Sequence, residues 1–201
     1  MEITIARLGE EDIDAITVLE AECFSEPWPR QAFVNELTKN PHAVYLGAFC
    51  QPVPDQAEAM RAAPGPPTPE QSVPGQPEAT QPTPGQPVPQ AMPVLATPAC
   101  PPARQLVGYA GLWLVAQDEG HITNVAVADF LRRRGIGVRL MQTLMQQATT
   151  HGVKRFFLEV RAGNTAAQQL YGQLGFCKVG ERPRYYPSGE DAWILKWELS
   201  Q

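Results

Sequence analysis

Several features are missing from this chain of 201 residues. It has four cysteines, Cys23, Cys50, Cys100 and Cys177, but no CxxC pair. That excludes a zinc or redox motif and leads to an expectation of reduced thiols rather than a disulfide frame. The histidines, His42, His121 and His151, stand apart without HxxxH spacing, so no metal is expected. No run approaches the roughly 18 apolar residues that cross a bilayer. Residues 1–14 carry Glu2, Glu10, Glu11 and Asp12 and lack a basic segment followed by an apolar one. A cytoplasmic protein with no membrane partner is therefore expected. Basic excess is absent too: the net charge is −5, and Arg132 to Arg134 form a local cluster rather than a stripe, so nucleic acid is excluded as a partner.

Two nucleotide-binding loops are also lacking. There is no GxxxxGK followed by Ser or Thr, and the glycine turn Arg132-Arg133-Arg134-Gly135-Ile136-Gly137 continues into Val138, Arg139 and Leu140 rather than completing GxGxxG. The turn is nonetheless informative. Ile122 to Val127 before it reads as a strand, and Val138 to Ala148 after it as a helix. The first N–H groups of a helix have no intrahelical partner, the helix dipole adds partial positive charge, and glycine admits a phosphate close to the backbone. The segment is thus a candidate site for a phosphorylated ligand.

Proline is the opposite of scarce. Of 21 prolines, 16 lie between Gln51 and Arg104, with Gly-Gln-Pro repeated at Gly75 to Pro77 and Gly85 to Pro87. Proline fixes φ and removes donors, and the scattered aliphatic residues there cannot offset the ordering entropy. Residues 51–104 are therefore expected to be a disordered, low-complexity insertion, and residues 1–50 with 105–201 a single domain. Val44 to Phe49 and Leu106 to Leu112 flank the insertion as strands and would form a hairpin around it. Lengthening a short turn to about 55 residues costs about 2 kcal/mol of closure entropy, which a large sheet tolerates.

The remaining segments alternate. Strands are expected at Glu2 to Leu8, Trp113 to Ala116, His121 to Val127, Arg155 to Val160, Phe176 to Gly180 and Ala192 to Leu199. Helices are expected at Glu10 to Phe24, where Ile13, Ile16, Leu19 and Cys23 are helically spaced, at Arg30 to Leu37, after the glycine turn, and at Thr165 to Leu174, with Asn164 as its cap and Gly175 beyond its end. The class is α/β, a mixed central sheet of about seven strands flanked by about four helices.

A strand, RxxGxG, a helix, a strand bearing Glu159-Val160-Arg161, and then Asn164-Thr165-Ala166-Ala167 followed by Leu170-Tyr171 and Leu174-Gly175-Phe176 occur in that order. This series resembles the GNAT superfamily of acetyl-CoA-dependent N-acetyltransferases. A narrower likeness, to the bacterial members that acetylate the N-terminal alanine of a small-subunit ribosomal protein, rests on Glu26-Pro27-Trp28, Leu158 to Asn164 and Arg184-Tyr185-Tyr186-Pro187. Pro29 departs from the serine usual after that tryptophan.

The resemblance implies that acetyl-CoA is the co-substrate, with no metal, and that a protein N-terminus is the partner. It implies that Val125, Ala126 and Val127 lie along the pantetheine arm and that Arg133, Arg134, Gly135, Ile136, Gly137 and Val138 cradle the pyrophosphate, chiefly through main-chain N–H groups. It further implies that Asn164 reaches the cofactor, Glu159 is the general base and Tyr171 protonates the leaving thiolate. Apolar neighbours on its strand should raise the Glu159 pKa unless it is paired, and an ion pair with Arg161 or a neighbouring strand is the alternative role. Tyr171 could equally be a core tyrosine, Asn164 only a cap, and Tyr185 and Tyr186 packing residues rather than groove residues. Two other functions fit the sequence: acetylation of a lysine, polyamine or small amine on the same fold, and an acetyl-CoA-binding interaction protein that presents its proline-rich arm.

Overall fold

A computed structural model describes residues 1–51 and 104–199. The proline-rich stretch expected to be an insertion lies, but for its end residues, outside them. Seven strands form one mixed sheet in the order β1-β2-β3-β4-β5-β7-β6: β1 Glu2–Arg7, β2 Ala43–Gln51, β3 Gln105–Ala116, β4 Glu119–Val127, β5 Arg155–Arg161, β6 Cys177–Arg182 and β7 Ala192–Glu198. Every neighbouring pair is antiparallel except β4 with β5.

The hairpin expected around the proline stretch is present. Val44 lies opposite Leu112, and Cys50 opposite Gln105. The expected short strand at Trp113 to Ala116 is the continuation of β3. One expectation fails here: Cys50 is disulfide-bonded, whereas Cys23 and Cys177 are free. The absence of CxxC spacing does not bear on pairs that only the fold brings together.

Among the described residues four α-helices cover the sheet: α1 Ile13–Cys23, α2 Arg30–Thr38, α3 Ile136–Thr150 and α4 Thr165–Gln173. The helix expected from Glu10 opens instead with a 3-10 turn at Glu10–Asp12. Strands β2 and β3 are buried almost continuously rather than alternately, as in a sheet covered on both faces. On one face Phe33 of α2 meets Tyr109 edge-on at 5.9 Å. Successive strand residues point to opposite faces, and a Cβ at the neighbouring Gly108 would lie 3.2 Å from Leu140 of α3. Helix α3 therefore packs on the other face, through Leu140, Met141, Leu144, Met145 and Ala148. These are the residues its apolar spacing selects.

Helix α4 is capped by Asn164, whose Oδ1 accepts from the Ala167 N–H at 3.1 Å. Removing that acceptor leaves an orphan donor. Asn164→Ala is expected to lower stability by about 1 kcal/mol and the melting temperature by about 3 °C, which calorimetry would measure.

Candidate active site

The site lies where two parallel strands part. β4 and β5 pair only over Glu119 to His121 against Arg155 to Phe157, although β4 runs on to Val127 and β5 to Arg161. On its other side β4 stays paired with β3 as far as Val127. From Ile122 onward, the edge of β4 that faces β5 thus has no strand partner, and an unpaired strand edge suits a chain bearing amides. Val125, Ala126 and Val127 lie on this stretch. The Val127 carbonyl is already engaged, accepting from Arg132 Nε at 3.1 Å and from the Cys23 thiol at 3.6 Å.

At the end of β4 the chain makes a 3-10 turn, Asp129–Leu131, and then enters α3. Arg133 (φ 64°) and Gly135 (φ 76°) both adopt the left-handed region. It is costly for an arginine, and strain of this kind persists where the surrounding structure demands it. No side chain caps α3. The first bond of the helix is donated by Arg139 N–H to the Gly135 carbonyl at 3.0 Å. The amides of Ile136, Gly137 and Val138 therefore have no intrahelical acceptor and stand at the positive end of the dipole, an arrangement suited to an anion. Starting α3 at Ile136 rather than Val138 sets both of the first two amides within the helix. Among the arginines, Arg132 is bound to Asp129 at 2.6 Å, while Arg133 and Arg134 are exposed and form no ion pair among the described residues. An unpaired strand edge leading to an uncapped helix start fits a pantetheine arm that ends in a pyrophosphate, as acetyl-CoA has.

Glu159 stands on β5 two residues beyond Phe157, the residue paired with His121 at the fork. Its side chain is 9 % exposed and shared by two cations or potential cations: His121 Nε2 at 2.8 Å and Arg182 of β6 at 3.2 Å. The hydrogen bond from His121 holds its pKa below the ordinary carboxylate value, ahead of burial, which acts the other way. The raised pKa expected of an unpaired Glu159 is therefore not found. The carboxylate is paired, though not with Arg161, which turns to Glu26 and Glu190.

Tyr171 on α4 is 8 % exposed and packs edge-on against Phe176 at 5.8 Å. Burial raises its pKa, so the hydroxyl keeps its proton. No hydrogen bond joins it to Glu159 or to any other described residue.

Two residues escaped the sequence reading. His121 carried no signal, because the β4 to β5 register that delivers it to Glu159 is long-range. Glu20 left a faint one: it occupies a core position of α1, four residues after Ile16, and is 1 % exposed. Its carboxylate accepts from the Tyr109 hydroxyl, from Trp28 N–H at 3.0 Å and from Asn124 Nδ2 at 3.4 Å. Burial raises its pKa. Glu20 thus anchors the α1–α2 loop, residues 24–29, to the sheet. Pro29 ends that loop as the N-cap of α2 without any side-chain cap, the consequence of its departure from serine. No group of three or more His, Cys, Asp or Glu residues suited to a metal occurs among the described residues, and no described helix is long and apolar enough to cross a membrane.

Comparison with known proteins agrees with this geometry. Residues 93–176 match the model of the acetyltransferase (GNAT) family. A Bacillus subtilis (strain 168) protein, provisionally named a ribosomal protein bS18-alanine N-acetyltransferase, is 28 % identical over 186 residues, 92 % of this chain and 88 % of that one. The ribosomal protein bS18-alanine N-acetyltransferase of Salmonella typhimurium (strain LT2) is 42 % identical over 89 residues, but these span only 43 % of this chain and 60 % of that protein. In fold, the crystal structure of the ribosomal-protein-S18-alanine N-acetyltransferase from Escherichia coli superposes with a TM-score of 0.66 at 23 % identity, covering 100 % of this chain and 96 % of that one. The forked β4 and β5, the uncapped start of α3 and these matches together mean that the chain contains an acetyltransferase (GNAT) domain.

Proposed function

We propose that this acetyl-CoA-dependent acetyltransferase acts on the α-amine of a protein, an N-terminal alanine of a small-subunit ribosomal protein, in the cytoplasm. The observation that carries the reading is Glu159, paired with His121 at the fork of β4 and β5. Acetyl-CoA supplies the acyl group as a thioester. The unpaired edge of β4 at Val125 to Val127 aligns the pantetheine arm, and the amides of Ile136 to Val138, with Arg133 and Arg134 beside them, hold the pyrophosphate. Glu159 takes the proton that the acceptor nitrogen sheds as its bond to the acetyl carbon forms. Tyr171 donates its proton to the sulfur as the carbon–sulfur bond breaks.

The lowered pKa of Glu159 bears on the acceptor. A carboxylate held below its ordinary range is a weak base. An α-amine with a pKa of about 7.8 is already roughly 10–15 % neutral at pH 7, whereas a lysine amine near 10.4 is about 0.04 % neutral. A weak base suffices for the first and serves the second poorly. The narrower likeness and the names of the relatives above favour alanine among the α-amines.

A peptide panel tests this. Peptides with free Ala, Ser or Met ends, and blocked peptides with internal lysines, are incubated with acetyl-CoA and weighed intact by mass spectrometry. Acetylation of the Ala-ended peptide is expected; acetylation of lysine alone would refute the acceptor class.

The 2.8 Å contact also favours a second reading, in which the His121 imidazole accepts the proton and Glu159 orients it. His121→Ala separates the two. If Glu159 is the base, the variant stays active, because the hydrogen bond that most depresses the Glu159 pKa is gone. If His121 is the base, activity collapses with Glu159 intact.

A further inference from the structure

We propose that Arg161 is a positioning residue that ties the two walls of the acceptor groove into one unit. The inference rests on the reading above in one respect, that Glu159 takes the proton of the acceptor amine, and adds that the amine reaches it between the α1–α2 loop and the β6–β7 loop, residues 183–191.

Arg161 lies at the end of β5, two residues from Glu159 and on the same face of the strand. Its guanidinium faces both loops. On one side, Nη2 pairs with Glu26 of the α1–α2 loop. On the other, Nη1 donates to Ser188 Oγ at 3.0 Å and lies 3.3 Å from Glu190 Oε2. The guanidinium carbon also sits 3.9 Å from the centre of the Tyr186 ring. Glu190 passes the link on, because its Oε1 accepts from Gly163 N–H at 2.8 Å, just before the cap of α4. The three segments that carry the narrower likeness, Glu26 to Trp28, Leu158 to Asn164 and Arg184 to Pro187, thus converge on this side chain.

A planar fork is what this geometry requires. Two nitrogens diverge to acceptors on opposite sides while the flat face stacks on an aromatic ring, and a lysine ammonium provides neither the fork nor the stacking plane. The side chains are partly exposed, 28 % for Arg161, 36 % for Glu26 and 34 % for Glu190, so any one pair alone contributes little. The effect comes from holding two loops, far apart in sequence, at a fixed spacing. Glu20 anchors the far end of the first loop at Trp28, which leaves Glu26 as the point where that loop meets the second.

Arg161→Ala, Arg161→Lys, Glu26→Gln and the double variant Arg161→Ala/Glu26→Gln test the assignment. Acetyl-CoA affinity is measured by calorimetry and serves as the folding control. Steady-state kinetics use the Ala-ended peptide. Arg161→Ala is expected to raise the peptide KM about tenfold, with kcat changed less than about threefold and the acetyl-CoA Kd within about twofold of wild type. Arg161→Lys should restore little of the loss, and the double variant should be no worse than Arg161→Ala alone, since both changes cut one link. An unchanged peptide KM in Arg161→Ala with acetyl-CoA binding intact would overturn the proposal, as would parallel losses toward both substrates. Should Arg161→Ala fail the folding control, Glu26→Gln, a change on the loop alone, decides: no rise in peptide KM overturns the proposal. Failure of the functional reading shows in the unmutated protein, as inactivity toward α-amines. The same KM split is then read with the acceptor that it does use.

Discussion

Glu159→Gln is expected to lower kcat about 10²–10³-fold between about pH 6 and 9 while leaving the acetyl-CoA Kd within about twofold. The amide keeps the size of the carboxylate and can still accept from His121, so packing at the fork is preserved. What disappears is the capacity to take a proton. The cofactor groups stand elsewhere, on the free edge of β4 and at the start of α3, which is why binding should survive. Rates within about threefold of wild type across that range would remove Glu159 from the chemistry.

The shape of the wild-type profile follows from the same contacts. The His121 hydrogen bond holds Glu159 below its ordinary value of 4.5. It is therefore ionised throughout the assay range, and the rise of kcat/KM with pH should follow the acceptor amine, levelling near about pH 7.8 for an α-amine. Stability has its own sign. A carboxyl with a depressed folded pKa contributes stability that is full above its unfolded pKa and lost as pH falls through the folded one. Glu159→Gln should therefore flatten part of the acid-side loss of stability below about pH 4.5.

The parts of the fold and site that were legible in the sequence are those written locally. The apolar face of α3 follows from a 3.6-residue period, and the glycine turn marks its start only to within two residues, Ile136 where Val138 was expected. Asn164 caps α4 through its own third neighbour. The β2–β3 pairing was legible because two apolar runs flank one break in composition. What was not legible depends on register between distant segments. The fork of β4 and β5 comes from parallel pairing that stops after His121, and neither strand marks that point. The partners of Glu159 come from β4 and β6, so a sequence that shows only its own apolar neighbours suggests a raised pKa. Arg161 is adjacent enough to look like a partner, yet its side chain runs to Glu26 and Glu190.

Tyr171→Phe is expected to lower kcat about 10- to 100-fold with little change in either KM. The ceiling is lower than for Glu159 because a thiolate, whose conjugate acid has a pKa of about 8.5, leaves moderately well without help. Burial raises the pKa of Tyr171, so the hydroxyl holds its proton over the whole assay range and adds no basic limb to the profile. The alternative, a tyrosine that only fills the core, makes a different prediction. The ring packs on Phe176 and its hydroxyl makes no hydrogen bond among the described residues, so phenylalanine keeps the packing and leaves no partner unsatisfied. A purely structural Tyr171 would thus lose neither stability nor rate on this change. If it is the acid, the melting temperature should move by less than about 2 °C while kcat falls. An acetyl thioester of a more acidic thiol should then recover much of the loss, since its leaving group needs the proton less; a deficit that ignores the leaving group would place Tyr171 outside the proton transfer.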